Sequence, residues 1–260
     1  MKTVTSFVKV AGVRLELRRL GRGRPLLLLA SEEMLEPDRD FVAELARRFE
    51  VFIPSPPGFG RSERPDWVTG VDDVAYLYLS LIEKLDLKKV TVLGFSLGGW
   101  IAVEMAVKND SRLARMMLVA PYGVKFGGVT DRDIADLWWL PPERVAALKW
   151  YDPANGERDI AALSDDELTT IARNTESFAR LSWEPFMHDP KLPHRLDRIG
   201  VPTWLVWGAH DGIVPPDYGK SYRKLIPGAH LKIIPKAGHL PHLERPAAFL
   251  AHFQDFVTGS

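Results

Sequence analysis

Three short stretches of the sequence hold residue types that can do covalent chemistry together. In the first, an apolar, β-branched run ending Val90-Thr91-Val92-Leu93 enters Gly94-Phe95-Ser96-Leu97-Gly98, and a helix-forming segment from Trp100 to Lys108 leaves it. A Gly-x-Ser-x-Gly between a strand and a helix is the nucleophile elbow. The serine sits on a sharp turn, and small neighbours let the two backbones approach closely. A serine hydroxyl is a weak nucleophile until a histidine takes its proton, and that histidine needs an orienting carboxylate. In open α/β sheets such groups gather at the carboxyl ends of strands. Pro202 to Trp207 has the pattern of a strand, and the loop after it, Gly208-Ala209-His210-Asp211-Gly212-Ile213-Val214-Pro215, supplies Asp211. Asp217 is a weaker rival, better suited to the start of the next helix. Leu231 to Ile234 leads through Pro235-Lys236-Ala237-Gly238 to His239, which can reach back over the strand ends. The order Ser96, Asp211, His239 is the one expected of this chemistry. His242 reads as structural or as a support to His239.

The elements that must position these residues alternate. Residues 3–10 and 13–20 read as an edge hairpin around Ala11-Gly12. Pro25 to Ala30 is a continuous apolar run, suited to a strand buried on both faces. A helix is predicted over 38–49 and a short strand over 51–54. A second helix covers 72–85, the strand 89–93 follows, and a helix covers 97–108. Strand 115–120 precedes an interruption, then strand 201–207, helix 217–225, strand 229–234 and helix 244–257 complete the pattern. Alternation with short connections predicts an α/β fold: a mostly parallel sheet with an antiparallel N-terminal hairpin and helices on both faces.

The interruption, residues 122–198, has helical periodicity and no convincing strand. It is expected to be a helical lid inserted between the two parts of the core, 1–121 and 199–260. Its aromatic residues either pack among themselves or line an apolar pocket over Ser96. Trp138, Trp139, Trp183, Phe186, Met187 and His188 are the pocket candidates.

Composition narrows the rest. The 260 residues are 46% hydrophobic and carry 34 basic and 34 acidic residues, so no electrostatic bias favours nucleic acid or an anionic membrane. There is no cysteine, which excludes disulfides, thiolate metal sites and a cysteine nucleophile. No run approaches the roughly 18 apolar residues of a membrane span, and no secretory signal is evident. The expectation is a cytoplasmic monomer or homodimer without metal or cofactor. Gly94 to Gly99 is not a dinucleotide fingerprint, and no Walker-type lysine follows it.

These motifs together resemble the α/β-hydrolases, the family that includes serine esterases, lactonases and carbon–carbon bond hydrolases. The similarity extends over nearly the whole chain and includes Pro57-Gly58-Phe59-Gly60-Arg61-Ser62, besides the elbow, the 208–215 loop and Gly238-His239. Ser96 argues against the dehalogenase and epoxide hydrolase branches, which would carry an aspartate there. The resemblance implies an oxyanion hole built from the backbone N–H of Leu97 and of a residue after the third strand, a position that falls on Glu32. Relatives usually carry His-Gly just before that position; here Ala30-Ser31 stand there, followed by Glu32-Glu33. Either the two carboxylates face solvent in a merely variant loop, or the pocket is remodelled with altered chemistry. The resemblance implies hydrolysis of a small ester or lactone through an acyl-enzyme on Ser96. Cleavage of an activated carbon–carbon bond is the alternative within enzymes, with Arg173, Arg180 and Lys191 as partners for a carboxylated substrate. A ligand-binding protein on a hydrolase scaffold is the alternative of another class.

Overall fold

Strand β1 (Val4–Val10) turns through Ala11 and Gly12 into β2 (Val13–Gly21), and the two pair antiparallel from Val4↔Arg19 to Val10↔Val13. Both turn residues have positive φ (46° and 86°), as a two-residue hairpin with the twist of its strands requires. The structure is a computed structural model and describes residues 3–33, 39–157 and 159–259.

From β2 the sheet continues into β4 (Phe49–Pro54), again antiparallel. Everything beyond is parallel: β3 (Arg24–Leu29) lies between β4 and β5 (Val90–Phe95), followed by β6 (Leu113–Val119), β7 (Thr203–Gly208) and β8 (His230–Ile234). The order across the sheet is β1-β2-β4-β3-β5-β6-β7-β8. Alternation along the strands explains how the sheet holds two helical layers. Leu27, Leu29 and Val92 face one cluster, shared with α2 (Val71–Lys84) and α3 (Leu97–Lys108). Leu26, Leu28 and Leu93 face the other, shared with α1 (Arg39–Leu45) and the C-terminal helix. A period of two on a sheet covered on both sides makes β3 apolar from Pro25 to Leu29, as the sequence suggested.

Several boundaries differ from the sequence expectation, most by one or two residues, and three differences have a local cause or consequence. The first helix ends at Leu45, and Phe49, expected on it, opens β4; Asp38, where it was expected to begin, lies outside the described residues. Strand β5 continues to Phe95, so Ser96 follows the strand directly. The last helix, α8 (Pro246–Thr258), begins two residues later than expected, and a one-turn α7 (Pro241–Glu244) outside the expected elements precedes it; Pro246 has no N–H to continue α7 and fits the opening turn of α8.

Between β6 and β7 run α4 (Pro142–Lys149), α5 (Asp165–Ser182) and several 3₁₀ turns, with no strand among the described residues. Helix α5 begins at a capping box in which Ser164 and Glu167 satisfy each other's backbone N–H. It is fastened to the 58–62 turn: Arg173 donates to the carbonyls of Gly58 and Ser62, and Asn174 Oδ1 accepts from Gly60 N–H. Tyr122, Ile134, Phe178, Leu181, Met187 and Leu192 of this segment belong to the same buried cluster as α2 and α3. The segment therefore shares its core with the sheet.

Candidate active site

Ser96 occupies the one-residue junction between β5 and α3 with φ 48° and ψ −109°, a region that costs a non-glycine residue about 1–3 kcal/mol. Its surroundings hold it there. Its N–H donates to Val119 O at 2.9 Å, and its carbonyl accepts from Trp100 N–H and Tyr122 N–H. The flanking glycines are required by close approach. A Cβ on Gly98 would lie 2.1 Å from Leu29 O, and one on Gly94 would lie 2.7 Å from Gly98 O. The motif read from sequence thus has a packing cause: α3 leaves the strand so close to β3 that no side chain fits.

The acid and the histidine follow β7 and β8, the second and third strands beyond β5 in the sheet. Asp211, in the turn after β7, is 3% exposed. Its Oδ1 accepts from the N–H groups of Ile213 and Val214 at 2.9 Å each, and its Oδ2 accepts from His239 Nδ1 at 2.8 Å. With Nδ1 carrying the proton, His239 Nε2 is an acceptor, and Ser96 Oγ donates to it at 2.6 Å. Ser96 and His239 are each 1% exposed. Such a chain of hydrogen bonds has the polarity needed to draw a proton off the serine.

Both loops are anchored to α4. His239 N–H donates to Lys149 O at 2.7 Å, and Gly212 N–H donates to Leu148 O at 2.9 Å. The approach is tight enough that a Cβ on Gly238 would sit 2.2 Å from Lys149 O. Glu244 Oε2 accepts from Gly238 N–H, while its Oε1 accepts from the N–H groups of Tyr151 and Asp152. His242 packs its ring beneath the site on Phe95, Phe41 and Phe249. Asp217 is exposed on the first turn of α6 (Pro216–Leu225), where it pairs with Lys220.

One further residue joins the cluster without a sequence motif. Tyr122, three residues beyond β6, stacks parallel to the His239 ring at 5.7 Å and places its hydroxyl 3.3 Å from His239 Nε2. The same hydroxyl donates to Glu32 Oε1 at 3.1 Å. Burial, reinforced by the charges of Glu32 and Asp211, pushes the Tyr122 phenol well above its ordinary pKa, so it remains a neutral donor. The sequence offered one usable signal: a tyrosine just past the strand adjacent to β5 lies at the carboxyl edge where sites collect.

Glu32 and Glu33 resolve the question left by the variant loop. Glu32 is buried, held by Tyr122, and its Oε2 has no hydrogen-bond partner among the described residues. Glu33 is half-exposed and pairs with the buried ammonium of Lys149. The reading in which both carboxylates face solvent does not hold. Leu97, the other expected oxyanion donor, is the first residue of α3, where N–H groups lack an intrahelical acceptor.

The six pocket candidates separate. Trp138 lines a cavity of about 180 Å³ together with Glu32, Glu33, Lys149, Ile171 and Phe178. Trp183, Phe186 and His188 border a different hollow of about 590 Å³ beside residues 124–136. Trp139 is 81% exposed, and Met187 is fully buried in the core. A larger cavity of about 660 Å³ shares Glu33, Leu137, Val145 and Lys149 with the small one, so the Glu33–Lys149 pair stands between the two. Among the described residues there is no cluster of His, Asp or Glu placed to hold a metal ion, and no helix is long and apolar enough to cross a membrane.

Comparison with known proteins agrees with this architecture. Residues 30–252 match the alpha/beta hydrolase family, and the chain belongs to it. Among curated proteins it is 25% identical to a 2-hydroxymuconate semialdehyde hydrolase of Pseudomonas sp. strain CF600, over 95% of this chain and 92% of that protein. It is 29% identical to a pimeloyl-[acyl-carrier protein] methyl ester esterase of Neisseria meningitidis, over 65% of this chain and 69% of the other. A solved meta-cleavage product hydrolase from Pseudomonas fluorescens IP01 superposes with a TM-score of 0.79 at 19% identity, covering 98% of this chain and 97% of that one. At that identity the superposition speaks for the fold.

Proposed function

We propose that this hydrolase is a serine hydrolase that cleaves small carboxylic esters or lactones through an acyl-enzyme on Ser96. The observation that carries the reading is the unbroken relay Ser96 Oγ–His239 Nε2–His239 Nδ1–Asp211 Oδ2, at 2.6 Å and 2.8 Å. Ser96 Oγ attacks the carbonyl carbon while its proton passes to His239 Nε2, and Asp211 stabilises the imidazolium so formed. His239 then returns the proton to the leaving alcohol oxygen. Water, activated by the same nitrogen, hydrolyses the acyl-enzyme and releases the acid. The backbone N–H groups of Leu97 and Glu32 are the donors for the oxyanion, and the 122–198 segment serves as the lid over the substrate.

Carbon–carbon hydrolysis, the alternative that the family resemblance implies, is the second reading. The first is favoured because Arg173, expected as a carboxylate partner, is committed to the carbonyls of Gly58 and Ser62, Lys149 is paired with Glu33, and the charged side chain joined to the site through Tyr122 is the carboxylate of Glu32. A fluorophosphonate probe should form a covalent adduct on Ser96 of the folded protein and none on Ser96→Ala. Absence of the adduct in wild type sinks the acyl-enzyme reading and leaves a binding protein on the same scaffold.

A further inference from the structure

The serine–histidine–aspartate relay leaves one charged group next to it unused. Glu32 is 9% exposed, its Oε1 is taken by Tyr122, and its Oε2 is buried without a partner among the described residues. Burying a carboxylate with half of its acceptor capacity unmet is costly, and such a group beside reactive side chains calls for a functional account. The position is close to the reacting atoms. Tyr122 Oη lies 3.3 Å from His239 Nε2, and Glu32 Oε1 lies 3.1 Å beyond it, so a single phenol oxygen separates carboxylate and imidazole.

The cavity that Glu32 borders is unbalanced in charge. Its ionisable lining residues are Glu32, Glu33 and Lys149, and Lys149 is paired with Glu33. One negative charge is left over. The facing wall carries Trp138 and Phe178, with ring centroids 5.2 Å apart, and aromatic faces also favour a cation.

We infer that Glu32 is a specificity-determining carboxylate, and that the site takes esters whose acyl part carries a protonated amine one or two carbons from the scissile carbonyl. The ammonium donates to Glu32 Oε2 while the carbonyl carbon meets Ser96 Oγ. This binding mode neutralises the carboxylate that would otherwise oppose negative charge developing on the carbonyl oxygen. It therefore accounts for an acidic residue at a place where the rest of the machinery needs electropositive groups. The inference rests on the acyl-enzyme reading.

The test compares p-nitrophenyl esters of 3-aminopropionate, butyrate and 3-hydroxypropionate, which differ at one terminal group of similar size. Each kcat/KM is divided by the uncatalysed hydrolysis rate of the same ester. Wild type should favour the amino ester over butyrate by about tenfold or more, as for a hydrogen bond to a charged partner. Glu32→Gln, which keeps size and removes charge, should bring that ratio down toward equality; a merely structural role would lower all three esters alike. A wild-type ratio near one, or a ratio unchanged in Glu32→Gln, overturns the proposal. A hydroxy ester that matches the amino ester overturns its cationic part. Should Glu32→Gln fail to fold, wild type still decides, because propylammonium should inhibit butyrate hydrolysis at about tenfold lower concentration than n-propanol. Equal inhibition overturns the proposal. Butyrate turnover and fluorophosphonate labelling of Ser96 report on the acyl-enzyme reading separately, so the two can fail independently.

Discussion

Replacing Asp211 by asparagine should disable the site by reversing one tautomer, and the structure indicates how completely. Oδ1 accepts two backbone N–H groups at 2.9 Å, from Ile213 and Val214. An asparagine turned the wrong way would point its NH2 at both donors, leaving two buried N–H groups unmet at a cost of roughly 2–6 kcal/mol. The amide oxygen must therefore stay where Oδ1 is, and the NH2 must face His239 Nδ1. That nitrogen, now an acceptor, cannot carry the proton, so Nε2 carries it and confronts the Ser96 hydroxyl with a donor. The residue that should remove the serine proton then has no lone pair to do so. The expected loss in kcat is about 10⁴, or roughly 5 kcal/mol of transition-state stabilisation. The assay is p-nitrophenyl butyrate hydrolysis at pH 7–8 with Ser96→Ala as the floor, and near-UV circular dichroism to confirm an unchanged fold. A low-field proton resonance from His239 Nδ1–H should be present in wild type and absent in Asp211→Asn. A folded Asp211→Asn that retains activity within about tenfold of wild type would falsify the relay.

Two other substitutions test how the site is held. Gly238→Ala would place a Cβ 2.2 Å from Lys149 O and 3.0 Å from Trp150 Cα, so the loop must retreat and take His239 with it; kcat/KM should fall by about 10² while the thermal melt stays cooperative. Full activity in that variant would mean the loop has slack that the packing does not show. For Glu16 on β2, burial works to raise the carboxyl pKa, but the Arg61 N–H and guanidinium together outweigh it and the value is lowered. A carboxyl lowered on folding stabilises above its ordinary value of 4.5 and loses that contribution as pH falls through the folded value. Glu16→Gln should thus cost about 1 kcal/mol at pH 7, because Arg61 is largely solvated, and the difference from wild type should shrink in denaturant titrations as pH falls below 4.5. A difference independent of pH would show that the charge contributes nothing.

The residues differ in how far their roles could be read from sequence, and the differences have physical causes. Ser96, Asp211 and His239 each sit beside a glycine or a turn just past a strand, because a strand end must break sharply to present a side chain; that break leaves a compositional trace. The hairpin and the apolar run Pro25–Leu29 of β3 were legible for a similar reason: period two is a direct imprint of which faces are covered. Tyr122 leaves no such trace. It follows an ordinary Ala120-Pro121 exit, and only the crossing from β5 to β6 brings it over His239. Glu32 was undecidable from sequence because a carboxylate in a turn is solvated by default; its inward course depends on a phenol ninety residues away. The one-turn α7 is too short to leave an apolar period of its own.

The carbonyls at the end of α4 bear on how this protein could change. Leu148 O and Lys149 O receive the N–H groups of Gly212 and His239, the two loops that carry the acid and the base. An insertion between β6 and β7 is the obvious unit for exchange among related enzymes, since its sequence is free of the sheet's pattern. Here it is not a detachable cassette. A graft that lacked two outward carbonyls at that spot would orphan two donors and loosen the very loops it left untouched. The loops of Asp211 and His239 and the inserted segment are therefore tied through the same turn of helix. Successful recombination should preserve α4 through Lys149 and confine variation to the stretch between that helix and β7.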